Sequence, residues 1–314
     1  YKGIKKGEKI KILVFGSTGL VGSNLVKNLS NSNTVTEIIG SSRQDTNLFS
    51  LDETKRTIKD VNPDLIINAA AKVGGILANN TFRTEFILDN LKININILEA
   101  LIDFPSTKLI NLGSSCIYPL NASIPTSEES LMGGKLEPTN SPYAMAKIAA
   151  IEMGNALKSQ YGHEIINLMP TNLYGPNDNF DLNTSHVIPG LIVKFYNAIK
   201  DRSENIEIWG TGEPKREFLY VDDLSSAVEF LLEKDWEDEL LNIGSGDEIS
   251  IKELSYLLKD ITKFDGDVVF DTTKPDGNPR KLLNSGKINS LGWKSSTSLS
   301  SGLEKTFEWY KNNN

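Results

Sequence analysis

Tyr143 and Lys147 stand four residues apart in Asn140-Ser141-Pro142-Tyr143-Ala144-Met145-Ala146-Lys147, so on a helix they share a face. An ammonium beside a phenol favours the phenolate and lowers a pKa that is ordinarily ~10, giving a proton donor and acceptor usable near neutrality. Ser114-Ser115-Cys116 follows the apolar run at 108–113, and a serine there can hydrogen-bond a carbonyl oxygen together with the tyrosine. Gly16-Ser17-Thr18-Gly19-Leu20-Val21-Gly22 has the spacing of a pyrophosphate-binding turn. Its first glycine makes a tight turn, the second lets a phosphate approach the backbone, and the third lets helix and strand pack closely. Carbonyl chemistry on a bound dinucleotide is what these groups could do together. Where an NAD site would carry an acid, the chain reads Gly40-Ser41-Ser42-Arg43; Arg43 suits a ribose 2′-phosphate, so NADPH is expected over NADH.

The elements needed to position these groups follow from the apolar pattern. Runs at 10–15, 37–40, 65–70, 108–113 and 164–169 read as buried parallel strands, covered on both faces by helices. Between them lie helical patterns, one with Leu20, Val21, Leu25, Val26 and Leu29 on a single face and a longer one over about 79–103. This alternation predicts an α/β fold, a doubly wound (Rossmann) parallel sheet. Ser141 is expected as N-cap of the Tyr143 helix, with Pro142 at its first position. After Pro170 the pattern loosens into a smaller, interleaved C-terminal α/β lobe. It holds a helix at about 185–200, a capping box formed by Ser250 with Glu253, and a last helix near 298–312. The expected domains are 10–171 for the dinucleotide and 172–314 for substrate, with 240–243 returning to the main sheet. Residues 1–9 read as a lead-in outside the core.

Composition narrows the partners. Thirty-three Lys+Arg against 41 Asp+Glu give a net charge of −8, which argues against nucleic acid or an anionic membrane. One cysteine, Cys116, and two histidines, His163 and His186, offer no zinc-type ligand set, so no metal is expected. A lone cysteine also fits a reducing compartment, and with no signal-peptide pattern a cytoplasmic location is expected. His163 reads as structural.

The chain resembles the extended short-chain dehydrogenase/reductase superfamily and, within it, the GDP-L-fucose synthase family. The likeness runs from about Ile10 over nearly the whole chain. It is carried by LGSSCIYP at 112–119, EPTNSPYAMAK at 137–147, MPTNLYGPNDNF at 169–180, SHVIPG at 185–190, WGTGEPKREF at 209–218 and KPDGNPRKLL at 274–283. The resemblance implies NADPH-dependent 3,5-epimerisation and 4-reduction of GDP-4-keto-6-deoxy-D-mannose. In it, Ser114, Tyr143 and Lys147 are the reductase triad, Cys116 the epimerisation base and His186 its partner acid. Cofactor contacts are expected from Gly16 to Gly22 (with Ser17, Thr18, Gly19, Leu20 and Val21), Arg43, Asn47, Leu48, Leu112, Gly113, Lys147, Pro170, Thr171, Asn172, Leu173 and His186. Lys194, Trp209, Arg216 and Asp276 fall on positions that contact the GDP-sugar, and Trp209 either stacks on the ligand or packs in the core. Arg216 and Arg280 have a reason to converge on two phosphates. Ser17-Thr18 replaces a basic residue present in some members, leaving Arg43 more alone. The family also implies a homodimer through its two long helices.

Alternatives stay open on the sequence. A GDP-heptose enzyme differs only in pocket size, and a C4-reductase would not need Cys116 with His186. A UDP-sugar 4-epimerase would favour an acid near position 43. A non-catalytic dinucleotide binder would tend to lack Tyr143 or Lys147.

Overall fold

The computed structural model describes every residue except Lys6, Glu239 and Pro275. Part of the lead-in and one position of the 274–283 motif therefore lie outside the described residues. The first half of the chain alternates strand and helix: β1 Ile10–Phe15, α1 Leu20–Leu29, β2 Val35–Ser41, α2 Leu51–Val61, β3 Leu65–Asn68, α3 Ile76–Thr81, α4 Arg83–Leu101, β4 Lys108–Leu112, α5 Ser141–Tyr161 and β5 Ile165–Pro170. The second half runs β6 Asn172–Tyr174, α6 Val187–Lys200, β7 Asn205–Trp209, β8 Lys215–Tyr220, α7 Val221–Leu232, β9 Leu240–Ile243, β10 Glu248–Ser250, α8 Ile251–Thr262, β11 Asp267–Asp271, β12 Arg280–Lys281, α9 Gly286–Leu291 and α10 Leu299–Asn313.

Six strands form a parallel sheet in the order β2-β1-β3-β4-β5-β9. Both of its faces are covered, as the near-continuous apolar runs require. Ile12 and Val14 belong to one core with Leu25, Leu29 and the α7 residues Leu224 and Val228. Leu13 and Phe15, alternating with them, face a second core with Ile58, Ile97, Leu101 and Ala150. Strand order reverses direction between β1 and β3, so their carboxyl ends open a crevice at the switch point. Buried asparagines cross the sheet nearby. Asn68 Nδ2 donates to Asn111 Oδ1 (3.0 Å) and Asn111 Nδ2 to Asn167 Oδ1 (3.0 Å), three residues in register on β3, β4 and β5.

A third core lies apart from the sheet, built from α6, α8, α10 and the strands β7 and β8, with Tyr174, Phe195 and Leu258 buried in it. β8 is the hub of its small sheet: β6 and β12 pair with it in parallel and β10 antiparallel. The Ser250–Glu253 capping box is present in full. Among the described residues no helix is long and apolar enough to cross a membrane, and no group of three acidic, histidine or cysteine side chains is placed to hold a metal.

Three expectations need correction. The helix at 79–103 is two helices, broken at Phe82, whose ψ of 45° leaves the helical range. The Tyr143 helix starts one residue early, with Asn140 as N-cap and no side-chain cap, because Ser141 Oγ instead bonds Pro138 O (3.4 Å). The lead-in is partly core: Tyr1 and Ile4 are buried against the α7 end, with Ile4 N bonded to Leu232 O (2.7 Å).

Candidate active site

The crevice at the switch point is a cleft of about 740 Å³. Its floor is the glycine turn. Gly16 has φ +80°, and a Cβ there would lie 2.7 Å from Ala70 N at the end of β3. A Cβ on Gly22 would collide with Gly16 O, whereas one on Gly19 would meet only Gly16 O, at an ordinary contact distance of 3.7 Å. Gly19 is the N-cap of α1 and carries no side-chain cap, so the helix's first N–H groups face the cleft unspent. Room, free donors and an approachable backbone fit a pyrophosphate. Arg43 lines the same cleft, is exposed, and has no ion-pair partner among the described residues. The acid Asp45 is nearby but occupied, accepting from Ser42 N (2.8 Å) and Oγ (2.6 Å), and that pair of bonds holds its carboxyl below the ordinary range.

Gly16, Thr18, Gly19, Leu20, Val21, Arg43, Asn47, Leu48, Leu112, Gly113, Ser114, Tyr143, Lys147, Pro170, Thr171, Asn172, Leu173 and His186 all line the cleft. Ser17 and Gly22 do not. Ser17 is turned to β2, where a Cβ on Gly40 would touch its own Cβ at 2.7 Å, and Gly22 is spent on packing against Gly16.

At the far end β4 delivers the serine. Gly113 admits no side chain, since a Cβ would overlap Met169. The chain then turns through Ser114, whose Oγ accepts from Cys116 N (3.4 Å). Among the described residues Ser114 is also the one neutral side chain that favours both the Tyr143 phenolate and the Cys116 thiolate against burial.

The electrostatics differ from the sequence expectation. Burial pushes the Tyr143 phenol upward, with the Cys116 thiolate adding to it and Ser114 opposing. Lys147 does not offset that burial: its Nζ lies over the Tyr143 ring, 5.8 Å from the centroid, and donates to Leu112 O (2.9 Å). Burial brings Lys147 itself down to about 8. The Cys116 thiol is likewise raised by burial, against the pull of Ser114, Lys281 and Lys147; His186 is not among the groups acting on it. His186 keeps an exposed edge, yet desolvation of its ring lowers its pKa, and Lys281 lowers it further. His186 is the N-cap residue of α6, yet its ring makes no cap bond. His163 is buried with both ring nitrogens unpartnered, a structural place among the described residues.

Cys116 opens on a separate small cavity of about 40 Å³ with Ser115, Thr171, Glu137 and Lys281, and Ser115 and Thr171 also line the large cleft. Lys281 was missed by sequence reasoning. It sits directly opposite Arg216 in the parallel β12–β8 pair, so the two cations share a face. Burial lowers both side chains' pKa values. The expected partner, Arg280, pairs with Lys215 and its Nε bonds both oxygens of Glu248 (2.7 and 3.0 Å), although it too lines the small cavity. The signal was available: adjacent strand residues point to opposite faces, so Arg280 and Lys281 cannot both face Arg216.

The remaining expected substrate residues gather at the end of β7. Lys194 Nζ donates to Glu207 O (2.9 Å) and lies 5.9 Å from the Trp209 ring, with Lys274 at 5.5 Å. Trp209 is 58% exposed and so is not a core residue. Asp276 accepts from Thr211 N (2.8 Å) and Oγ1 (2.7 Å), and it is the counter-charge nearest Arg216.

A phosphate-binding crevice, a serine–tyrosine–lysine set at its sheet edge and a second lobe beside it define a nucleotide-dependent carbonyl enzyme of the doubly wound class. Residues 12–244 match the NAD dependent epimerase/dehydratase family, and the chain belongs to that family. It is 48% identical over 304 residues to GDP-L-fucose synthase of Sinorhizobium fredii (strain NBRC 101917 / NGR234), covering 96% of each chain. Among solved structures, a GDP-L-fucose synthetase from Naegleria fowleri bound to NADP superposes with a TM-score of 0.90 at 29% identity, covering 99% of this chain and 97% of the other. A GDP-6-OMe-4-keto-L-xylo-heptose reductase from C. jejuni superposes with a TM-score of 0.89 at 30% identity, covering 99% of this chain and all of the other.

Proposed function

We propose that this chain converts GDP-4-keto-6-deoxy-D-mannose to GDP-L-fucose, epimerising C3 and C5 and reducing C4 with NADPH. One observation carries the reading. Ser114 and Tyr143 line one cleft and Ser114 Oγ accepts from Cys116 N (3.4 Å), so a ketone oxygen held by Ser114 and Tyr143 puts its neighbouring carbons on the side of Cys116. NADP(H) is the cofactor, and when bound it supplies a hydride to C4.

The chain's own residues do the rest. The glycine turn and the start of α1 hold the pyrophosphate, Arg43 the 2′-phosphate, and Lys147 the ribose hydroxyls. A C4 ketone acidifies the protons on C3 and C5. Cys116 removes each as thiolate, and His186 returns a proton to the opposite face. Lys281 and Ser114 favour that thiolate against the burial that opposes it. Ser114 and Tyr143 aim donors at the enolate oxygen between the two steps. Tyr143 then gives its proton to the C4 oxygen as hydride arrives. Arg216 and Lys281, half-buried side by side, take the diphosphate, while Trp209 with Lys194 offers a face for the base.

A homodimer is part of the proposal: Leu88, Ile95 and Ile102 are exposed at seven-residue spacing on and just beyond α4, and Met145 is exposed on α5. The test is turnover of GDP-4-keto-6-deoxy-mannose with NADPH in heavy water. The expected product is GDP-fucose with deuterium at C3 and C5. Reduction without label would leave a C4-reductase, and faster turnover of a GDP-4-keto-heptose would move the substrate to that class.

A further inference from the structure

α4 meets the helix of Tyr143 at two places on one of its faces, through Arg83 and Phe86, three residues apart. Arg83 Nη1 donates to Pro138 O (2.8 Å) and Nη2 to Ser141 Oγ (3.3 Å), at the turn that opens α5. One turn on, the buried Phe86 ring meets the Tyr143 ring edge-on, with centroids 6.2 Å apart and planes at 79°. Such a contact restrains the direction in which the phenol points into the cleft that Tyr143 lines. The far end of the Phe86 ring comes against Gly74, where a Cβ would lie 3.2 Å from Phe86 Cζ and 3.0 Å from Ala78 Cβ. The next residue, Gly75, is pressed on the segment that leads to His186. Its N donates to Thr184 O (2.8 Å), and a Cβ on it would collide with Ser185 O. Asn79 holds this corner from α3, its Nδ2 donating to Gly74 O (2.6 Å) and Gly75 O (3.1 Å). Neither glycine has a positive φ, Gly75 standing at −67°, so what they supply is room and not backbone freedom.

We propose that Phe86, Gly74 and Gly75 are positioning residues, a strut that fixes the spacing between Tyr143 and His186. The inference rests on the roles proposed for those two residues, Tyr143 giving a proton to the C4 oxygen and His186 giving one to C3 and C5. Both protons go to one sugar ring, so both donors must stand at set distances from the same bound substrate. Tyr143 is on α5 and His186 is the N-cap of α6, far apart in the chain, and their spacing cannot come from local backbone. The line of contacts from Tyr143 through Phe86, Gly74 and Gly75 to Thr184 and Ser185 supplies it. A side chain at position 74 would push the Phe86 ring toward Tyr143, and one at position 75 would push the backbone just before His186. Each glycine thus governs one end of the strut.

The experiment compares the wild type with Phe86→Leu, Gly74→Ala, Gly75→Ala and the double variant Gly74→Ala/Phe86→Leu. Two substrates are used: GDP-4-keto-6-deoxy-mannose in heavy water, and a GDP-4-keto sugar already epimerised, which reports C4 reduction alone. Phe86→Leu and Gly74→Ala are each expected to lower kcat for reduction by about 10–100-fold, with KM for both ligands within about three-fold, since a misplaced donor slows the chemistry and leaves binding intact. The double variant is expected to be no slower than Phe86→Leu, because the added methyl then has no ring to push. Gly75→Ala is expected to lower deuterium incorporation at C3 and C5 by about 10-fold more than it lowers reduction of the epimerised sugar. An unchanged kcat in Phe86→Leu, losses that multiply in the double variant, or equal losses of labelling and reduction in Gly75→Ala would each overturn the proposal. If Gly75→Ala does not fold, Asn79→Ala, which frees both glycine carbonyls without added bulk, is read in its place. A wild type that neither labels nor reduces its substrate would overturn the proposed function itself, and the strut with it.

Discussion

The proposed cofactor side of the site is built largely on glycine backbone, whereas the proposed substrate side is built on side chains. Gly16, Gly19, Gly22 and Gly113 shape the first by leaving room at strand and helix ends. The proposed substrate residues Trp209, Arg216, Asp276 and Lys281 lie on short strands and a loop of the other lobe, and Lys194 on α6. A backbone cradle accepts one part common to all dinucleotides. A cradle of side chains can be re-cut for another sugar without touching the sheet. Family members that share the first half and differ in substrate are what such a division permits.

Ser114 joins the two sides, so the sharpest test removes what it orients. Tyr143→Phe should lower turnover by about 10²–10⁴-fold while leaving NADPH affinity within a few-fold, since proton donation is lost and the phosphate cradle is not. Equal losses in both would erase the division between the two sides. Cys116→Ser should cut deuterium incorporation at C3 and C5 by about 10²-fold or more, and the rate of C4 reduction should survive on a substrate already epimerised. Loss of both activities together would make the cysteine structural. On the substrate side, Lys281→Gln should raise KM for the GDP-sugar by roughly 10–100-fold, corresponding to one charge-assisted phosphate bond, with NADPH binding unchanged. Arg280→Gln, an exposed neighbour, serves as the contrast and should do little. The smallest effect belongs to Arg43→Ala, which should narrow the preference for NADPH over NADH by about ten-fold in paired binding titrations.

Legibility follows the same division. Strand–turn–helix order, the glycine spacing and the Tyr143–Lys147 face could be read directly, because period and turn chemistry are local. Even the return of residues 240–243 to the sheet showed as an apolar run. Lys281 did not, since its value lies in standing opposite Arg216, a pairing between distant strands. The pKa values were misread for a related reason. The proximity of Lys147 to Tyr143 is a sequence fact, but burial, which outweighs it, comes from packing by many residues. Tyr1 and Ile4 were misjudged because a short polar-rich segment gave no period, and only Leu232 and Trp236 explain their burial. The asparagine row across β3, β4 and β5 had no signal of its own, each residue merely ending or interrupting an apolar run.

The place of β9 carries a consequence for how the chain comes to be folded. The sheet is left at Pro170 and rejoined only at Leu240, after α6, β7, β8 and α7 have been made. Until then β5 is an unfilled apolar edge, open to pairing with any other strand. A chain growing from its N-terminus therefore holds an aggregation-prone intermediate through the synthesis of much of the second lobe. Cutting the gene at the lobe boundary would freeze the protein in that state rather than release a working nucleotide-binding half. Supplying residues 221–243 as a separate segment should restore solubility to such a fragment.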